Sequence, residues 1–273
     1  MIRIEDLSCG YGQRRVLDGI SATLRRGQMV GLLGPNGSGK TTLLSAAGGI
    51  LPAMGGRVQL QEDGGWRDVL AMSAKERARR IAFVPQKASA AFPLKCSSVV
   101  LMGRYPHLSA FSGYGREDIA VARQCMERAG VGHLWERPTD AVSGGEFQRV
   151  LFARALAQET DVMFLDEPSA SLDMSGTVQL FDLLRGMADG GGLVFVTVHD
   201  LNLAALYCDR VIFLKNGAVA AEGETGTVFD EQILSGIYET RIRVGRHPVT
   251  GAPQVHMVPR HAGAVPDGVC GPC

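Results

Sequence analysis

The 273-residue sequence predicts an α/β fold: a parallel central sheet with a strand-rich opening and an inserted helical block. Three observations carry that expectation. The apolar run Met29-Val30-Gly31-Leu32-Leu33 reads as a buried strand, and a glycine-rich turn separates it from the helical stretch Thr42–Ala47. Two further apolar runs, Val162–Leu165 and Leu193–Val198, return late in the chain with a helical pattern over Thr177–Ala188 between them. Between them and the opening, from about Ser97 to Gln158, apolar spacing turns helical, for example at Phe147, Val150, Leu151 and Leu156.

In order along the chain, Ile2 and Ile4 alternate with polar residues as in a half-buried strand, and Ser21–Leu24 continues the strand-rich opening. Gly55-Gly56 punctuates the chain before the strand Arg57–Leu60, and Asp63-Gly64-Gly65 reads as a hairpin turn. Ser73-Ala74-Lys75-Glu76 is a capping box that starts a short helix, followed by the strand Ile81–Val84. Helices are expected over Glu117–Ala129 and Gly144–Gln158. Asn216-Gly217, between Val211–Leu214 and Ala218–Ala220, is a strong hairpin signal. No repeat of domain size is visible.

The turn after the first buried strand, Gly34-Pro35-Asn36-Gly37-Ser38-Gly39-Lys40-Thr41, spells a phosphate-binding loop in the strand–loop–helix context that gives such a motif meaning. Glycines let successive backbone N–H groups point inward, and the following helix adds its positive dipole end. Lys40 is placed to reach the β/γ-phosphates of a nucleoside triphosphate, and the Thr41 hydroxyl to ligate Mg²⁺. The second element is the run Val162–Leu165 ending in Asp166-Glu167. Asp166 suits Mg²⁺ held through its water shell, and Glu167 suits orientation or deprotonation of an attacking water. The third is Ser143-Gly144-Gly145, where Ser143 caps a helix whose exposed N–H groups face an anion.

Composition narrows the class further. Hydrophobic residues make up 45 % and charged residues 21 %, and 28 basic residues balance 28 acidic ones. A dominant attraction to nucleic acid is not expected from that balance. No stretch reaches the apolar length of a bilayer span, and Met1–Asp6 lacks the apolar core of a signal peptide. The expectation is an intracellular chain, attached to a membrane only through a partner. Cys9, Cys96, Cys125 and Cys208 lack metal spacing and read as reduced small hydrophobes. Cys270-Gly271-Pro272-Cys273 has redox spacing but no helix after it, so residues 261–273 are expected to be a disordered tail.

The order of these elements closely resembles the ATP-binding subunits of ABC transporters, whose signature segment lies just before the acidic strand. Val142 and Glu146 replace the signature's usual Leu and Gln here. The resemblance covers about residues 1–240. It implies a P-loop NTPase (RecA-like) core with an N-terminal antiparallel β subdomain and an inserted α-helical signature subdomain at about 88–158. A C-terminal strand extension at 241–260 follows. It also implies roles: ATP and Mg²⁺ held by Gly34 through Thr42, adenine stacked on Tyr11, and Gln86 sensing Mg²⁺ and the γ-phosphate. His199 matches the switch histidine, and Ser171-Leu172-Asp173 the loop that crosses the dimer interface. A head-to-tail homodimer is implied, in which the partner's Ser143-Gly144-Gly145 caps the γ-phosphate.

Within that family, Val99–Leu108 with its Gly103-Arg104-Tyr105-Pro106-His107 segment is similar to subunits importing iron–siderophore complexes, haem and cobalamin. So are His199–Ala205 and the late segment Arg243–Pro248, expected as a strand pair. The implied partners are two membrane permease subunits and an external binding protein, with the chain on the cytoplasmic face of the inner membrane. A non-transport ATPase acting on nucleic acid or ribosomes is the first alternative, and an exporter subunit the second. The region Gln86–Leu108 is expected to receive the permease, with Arg104 exposed on that surface. His107 is not read as a metal ligand, and the bland reading of Arg104–His107 is a helix end stopped by proline.

Overall fold

Two sheets share the core because the opening strands pair with one another rather than with the central sheet. The computed structural model describes residues 1–86, 92–109 and 112–259; the Cys270/Cys273 tail lies outside them. Ile2–Tyr11 (β1) and Arg14–Leu24 (β2) are antiparallel, and Gln28–Leu33 (β3) leaves them for the centre of the molecule. Lys40–Ala47 (α1) follows, and the chain returns to the first sheet as Ala53–Glu62 (β4) and Gly65–Asp68 (β5). That sheet runs β2-β1-β4-β5.

The expected break at Gly55-Gly56 is not a break. Both glycines lie inside β4 at an irregularity in its pairing with β1, between Glu5 and Ser8. Gly56 has φ +76, and a Cβ there would sit 2.3 Å from the Asp6 carbonyl oxygen. The glycines are a bulge that lets two backbones approach.

Ala74–Ala78 (α2) starts at the predicted capping box, with Ser73 accepting from the Glu76 amide and Glu76 accepting from the Ser73 amide. Ile81–Val84 (β6) enters the central sheet and leads to the helical block: Cys96–Leu101 (α3), Arg116–Arg128 (α4) and Gly144–Leu156 (α5). Val162–Leu165 (β7), Met174–Asp189 (α6), Leu193–Thr197 (β8) and Leu201–Tyr207 (α7) restore the α/β alternation. Helix α6 starts three residues earlier than its apolar pattern indicates, because the Asp173 carboxylate caps it through the Gly176 amide at 2.8 Å.

Arg210–Lys215 (β9) and Ala218–Glu224 (β10) form the predicted hairpin. Asn216 and Gly217 both have positive φ, at 51 and 77, as a two-residue turn of matching twist requires. Thr225–Val228 (α8) and Glu231–Tyr238 (α9) lead to the predicted late strand pair, Ile242–Arg246 (β11) and Pro253–Met257 (β12).

The central sheet runs β10-β9-β3-β8-β7-β6, parallel except for β10 at the edge. Its inner strands β7 and β8 are buried along their whole length because both faces are covered, whereas the edge strand β10 alternates in exposure. Met29, Met163, Leu165, Val194 and Val196 face the helices, whereas Val30, Leu32, Phe164 and Phe195 face α1 and the antiparallel sheet. Phe164 and Phe195 meet edge to face at 5.4 Å between ring centres. Cys9, Cys96, Cys125 and Cys208 are all free and buried, and burial pushes the Cys208 thiol up to about 12. They serve as small hydrophobes.

Arg104 corrects the expectation of an exposed docking residue. Met102–His107 is a short 3₁₀ segment with Pro106 inside it, not a helix end stopped by proline. It turns Arg104 inward, where only 6 % of the side chain is exposed. Its guanidinium donates to Asp118 at 3.1 Å, to the Ala157 carbonyl at 2.9 Å and to Glu159. Arg104 therefore ties the 3₁₀ segment to α4 and to the end of α5. Arg104→Ala leaves the Asp118 carboxylate without its cation, so a loss of about 3–5 kcal/mol is expected in chemical denaturation. Unchanged stability would contradict the structural role.

Candidate functional site

Four loops meet at the carboxyl ends of the parallel strands, where an open α/β sheet offers a crevice. β3 runs into Gly34–Gly39, β6 into Gln86, β7 into Asp166-Glu167, and β8 into His199. The sheet register sets their alignment, since Val84 pairs with Leu165 and Leu165 with Val196.

The phosphate loop is built for close approach. Gly34 has φ +142, and a Cβ there would lie 2.1 Å from the Leu214 carbonyl oxygen. Gly39 has φ +104, and a Cβ there would meet Leu17 at 2.4 Å. Only glycine fits either position. Pro35, Asn36 and Gly37 form the outer rim, with Asn36 and Gly37 exposed. The Ser38 hydroxyl is buried and makes no hydrogen bond. An orphaned donor inside a glycine cradle fits an anion that supplies the missing acceptor. The Lys40 ammonium is buried and donates to the carbonyls of Gly34 and Pro35 at 2.9 and 3.2 Å. Burial pushes it below its ordinary range, and the charges of Glu167 and Asp166 pull it back up. Thr41 is exposed at the start of α1, and Thr42 is buried behind it.

Across from the loop, Gln86, Glu167 and His199 form one cluster. The Gln86 amide donates to Glu167 Oε2, and His199 Nε2 lies against Glu167 Oε1. Both carboxylate oxygens are therefore engaged. Glu167 has φ +47, a left-handed conformation that a side-chain-bearing residue adopts at a cost of about 1–3 kcal/mol. That turn gives Glu167 a direction different from Asp166, which is buried.

A residue that motif reading missed holds both acids. Thr197 Oγ1 donates to Asp166 Oδ1 at 2.8 Å and accepts from the Glu167 amide at 2.6 Å. Thr197 is the one polar side chain in the apolar run Leu193–Val198, and that was its available signal. Thr197→Val keeps the shape and removes both bonds. Hydrolysis by this variant is expected to fall at least about tenfold, the equivalent of one charged hydrogen bond of about 1.5–3 kcal/mol. Wild-type turnover would show that the acids are held by other means. Tyr238 was also missed. Its hydroxyl lies at the Gly34 backbone and burial pushes it up to about 12.

Ser143 caps α5 as predicted. Its hydroxyl donates to Glu146 at 2.8 Å, and Glu146 also accepts from the Ser143 amide at 2.7 Å. Gly144 is exposed, and a Cβ on Gly145 would lie 2.7 Å from the Ser171 carbonyl oxygen. Ser143-Gly144-Gly145 makes no hydrogen bond to the phosphate loop or to the Gln86–Glu167–His199 cluster among the described residues. Tyr11 is 55 % exposed at the end of β1.

Known proteins resemble this chain in sequence and in fold. A family model described as ABC transporter matches residues 17–170. The chain is 41 % identical over 254 residues to the cobalamin import ATP-binding protein of Halobacterium salinarum, covering 93 % of this chain. It spans only 62 % of that relative's length. It is 43 % identical over 243 residues to the hemin import ATP-binding protein of Streptomyces coelicolor, covering 88 % of this chain and 84 % of the relative. A solved metal-chelate type ABC transporter in an inward-facing conformation superposes with a TM-score of 0.78 at 27 % identity, covering 94 % of this chain and 96 % of that one. A dimeric ATP-binding cassette bound to ADP and phosphate superposes at 0.72, also 27 % identical, with 82 % and 98 % covered.

Proposed function

The chain belongs to the ABC transporter family, and on that premise we propose that it is the ATP-hydrolysing subunit of an importer for a metal chelate. The observation that carries the catalytic part is the convergence of Gln86, Glu167 and His199 across from a glycine cradle containing Lys40. Lys40 neutralises the β/γ-phosphates, and the backbone N–H groups of residues 34–41 hold the remaining oxygens. Glu167 takes a proton from the attacking water, once it exchanges one of its two present partners for that water. His199 and Gln86 hold the carboxylate in line. The donor set fits Mg²⁺: a hydroxyl on Thr41, a carboxylate on Asp166 whose other contact is Thr197, and the Gln86 amide. When bound, the ion neutralises charge developing on the phosphate oxygens.

One subunit does not complete the site. Ser143-Gly144-Gly145 opens α5 and makes no hydrogen bond to the phosphate loop among the described residues, so a second copy is proposed to supply it head to tail. The dimeric neighbour supports this reading. Closure on ATP and release after hydrolysis then become a motion that a permease can use.

The proposed permease surface is a groove of about 320 Å³ beside the inserted helices. Ile50, Met102 and Tyr105 are exposed in it, at 57, 46 and 63 %. Two permease subunits and an external binding protein complete the proposed system, at the cytoplasmic face of the membrane. Among the described residues, no helix is long and apolar enough to cross a bilayer itself. The chelate class rests on the hemin, cobalamin and metal-chelate names of the relatives. A strain lacking this chain is expected to lose uptake of hemin, cobalamin or a ferric siderophore. Normal uptake of all three would contradict the importer reading.

A further inference from the structure

The C-terminal hairpin packs against α7, the helix that follows His199. His199 is followed by Asp200, whose carboxylate caps α7 by accepting from the Asn202 and Leu203 amides at 2.8 and 3.2 Å. The Asn202 side chain then leaves the helix and pairs with β12 as another strand would. Its Oδ1 accepts from the Val255 amide at 2.7 Å, and its Nδ2 donates to the Val255 carbonyl at 3.3 Å. Val255 is nearly buried, and in the β11–β12 register it stands opposite Val244. Both backbone groups of Val255 are thus spent on Asn202, on the side away from β11.

The hairpin is itself anchored to α9. Glu231 accepts from the Val244 amide and from Arg243, both at 3.0 Å, and the Ile242 amide donates to Ser235 at 3.2 Å. Helix α9 carries Tyr238, which packs on Phe213 and reaches the Gly34 backbone. One C-terminal unit therefore spans from the phosphate loop to the helix that follows His199.

We propose that this hairpin is a positioning element for His199, acting through the Asn202–Val255 pair. His199 is half exposed and sits on a turn, so its place against Glu167 depends on what fixes the start of α7. Asp200 fixes that start from within the helix, Leu201 and Leu203 pack it on the core, and Asn202 adds the two hydrogen bonds that tie it to β12. A misplacement of about 1 Å at a catalytic group costs up to about 100-fold in rate, so loss of this pair should be felt in turnover rather than in nucleotide binding. The inference rests on the proposed role of His199.

The test uses the full-length chain with Asn202→Ala and, from the other side of the same bonds, Val255→Pro, which deletes the Val255 donor without removing a β11–β12 bond. His199→Ala serves as the reference. Steady-state hydrolysis, affinity for a non-hydrolysable ATP analogue and thermal melting are measured for each. Both variants should lose about tenfold or more in kcat, with analogue affinity essentially as wild type and a melting temperature lowered but still well above that of the assay. Undiminished kcat in Asn202→Ala and Val255→Pro, while His199→Ala is inactive, overturns this inference and leaves the role of His199 standing. Normal turnover in His199→Ala overturns that role first, and the inference with it. Analogue binding lost in step with turnover, or unfolding of both variants, overturns it as well, since the hairpin would then support the fold at large.

Discussion

Glu167→Gln binds ATP as the wild type does and loses steady-state hydrolysis by about 100- to 10,000-fold, the range a positioned general base contributes. Gln keeps the length and planarity of the side chain and keeps one oxygen to accept from Gln86, but it cannot take a proton. The strained φ of +47 at this position is retained, because neither residue is better suited to it than the other. Asp166 remains held by Thr197, so the proposed Mg²⁺ ligand is untouched. Binding and hydrolysis should therefore separate cleanly in this variant. Turnover near the wild-type level would move the role of base to another group, His199 being the neighbour in contact.

Lys40→Ala shows the complementary pattern, in which ATP binding itself fails. The ammonium is the cation inside the phosphate cradle, buried and held over it by the carbonyls of Gly34 and Pro35. Its own ionisation is opposed by burial and favoured by the acids nearby, so a bound triphosphate supplies the counter-charge it lacks. Removing it forfeits charge-assisted bonds worth about 1.5–3 kcal/mol each. It also takes from Asp166 and Glu167 the ammonium whose charge they stabilise. Affinity for ATP should fall by at least about 10- to 100-fold. Equilibrium titration with a fluorescent ATP analogue measures this, and wild-type affinity would contradict the assignment of the loop.

What was legible in the sequence was what short-range pattern encodes. Gly34–Thr41, the acids after Val162–Leu165, and the caps at Ser73 and Ser143 each need only neighbours within a few residues. The hairpins at Asp63-Gly64 and Asn216-Gly217 were legible for the same reason. What escaped depends on partners brought close by folding. Arg104 looks like a surface charge beside Tyr105 and Pro106, yet its acids come 14 and 55 residues later. Thr197 holds Asp166 from 31 residues away, and Asn202 holds Val255 from 53. Gly55-Gly56 misled because a bulge and a break have the same composition, and only the approach of Asp6 tells them apart. The helical insert was recognised by its spacing, whereas the groove beside it is formed by residues as distant as Ile50 and Arg154.

In the proposed dimer two copies complete each ATP site, Ser143-Gly144-Gly145 of one closing over Gly34–Thr42 of the other. Sedimentation velocity of Glu167→Gln, with and without Mg·ATP, is the decisive measurement, because that variant holds ATP without hydrolysing it. The expected result is a monomer without nucleotide, a dimer with Mg·ATP, and no ATP-induced dimer when Ser143→Arg is added to the same chain. A Glu167→Gln protein that stays monomeric at saturating Mg·ATP, or a dimer indifferent to Ser143→Arg, would contradict it.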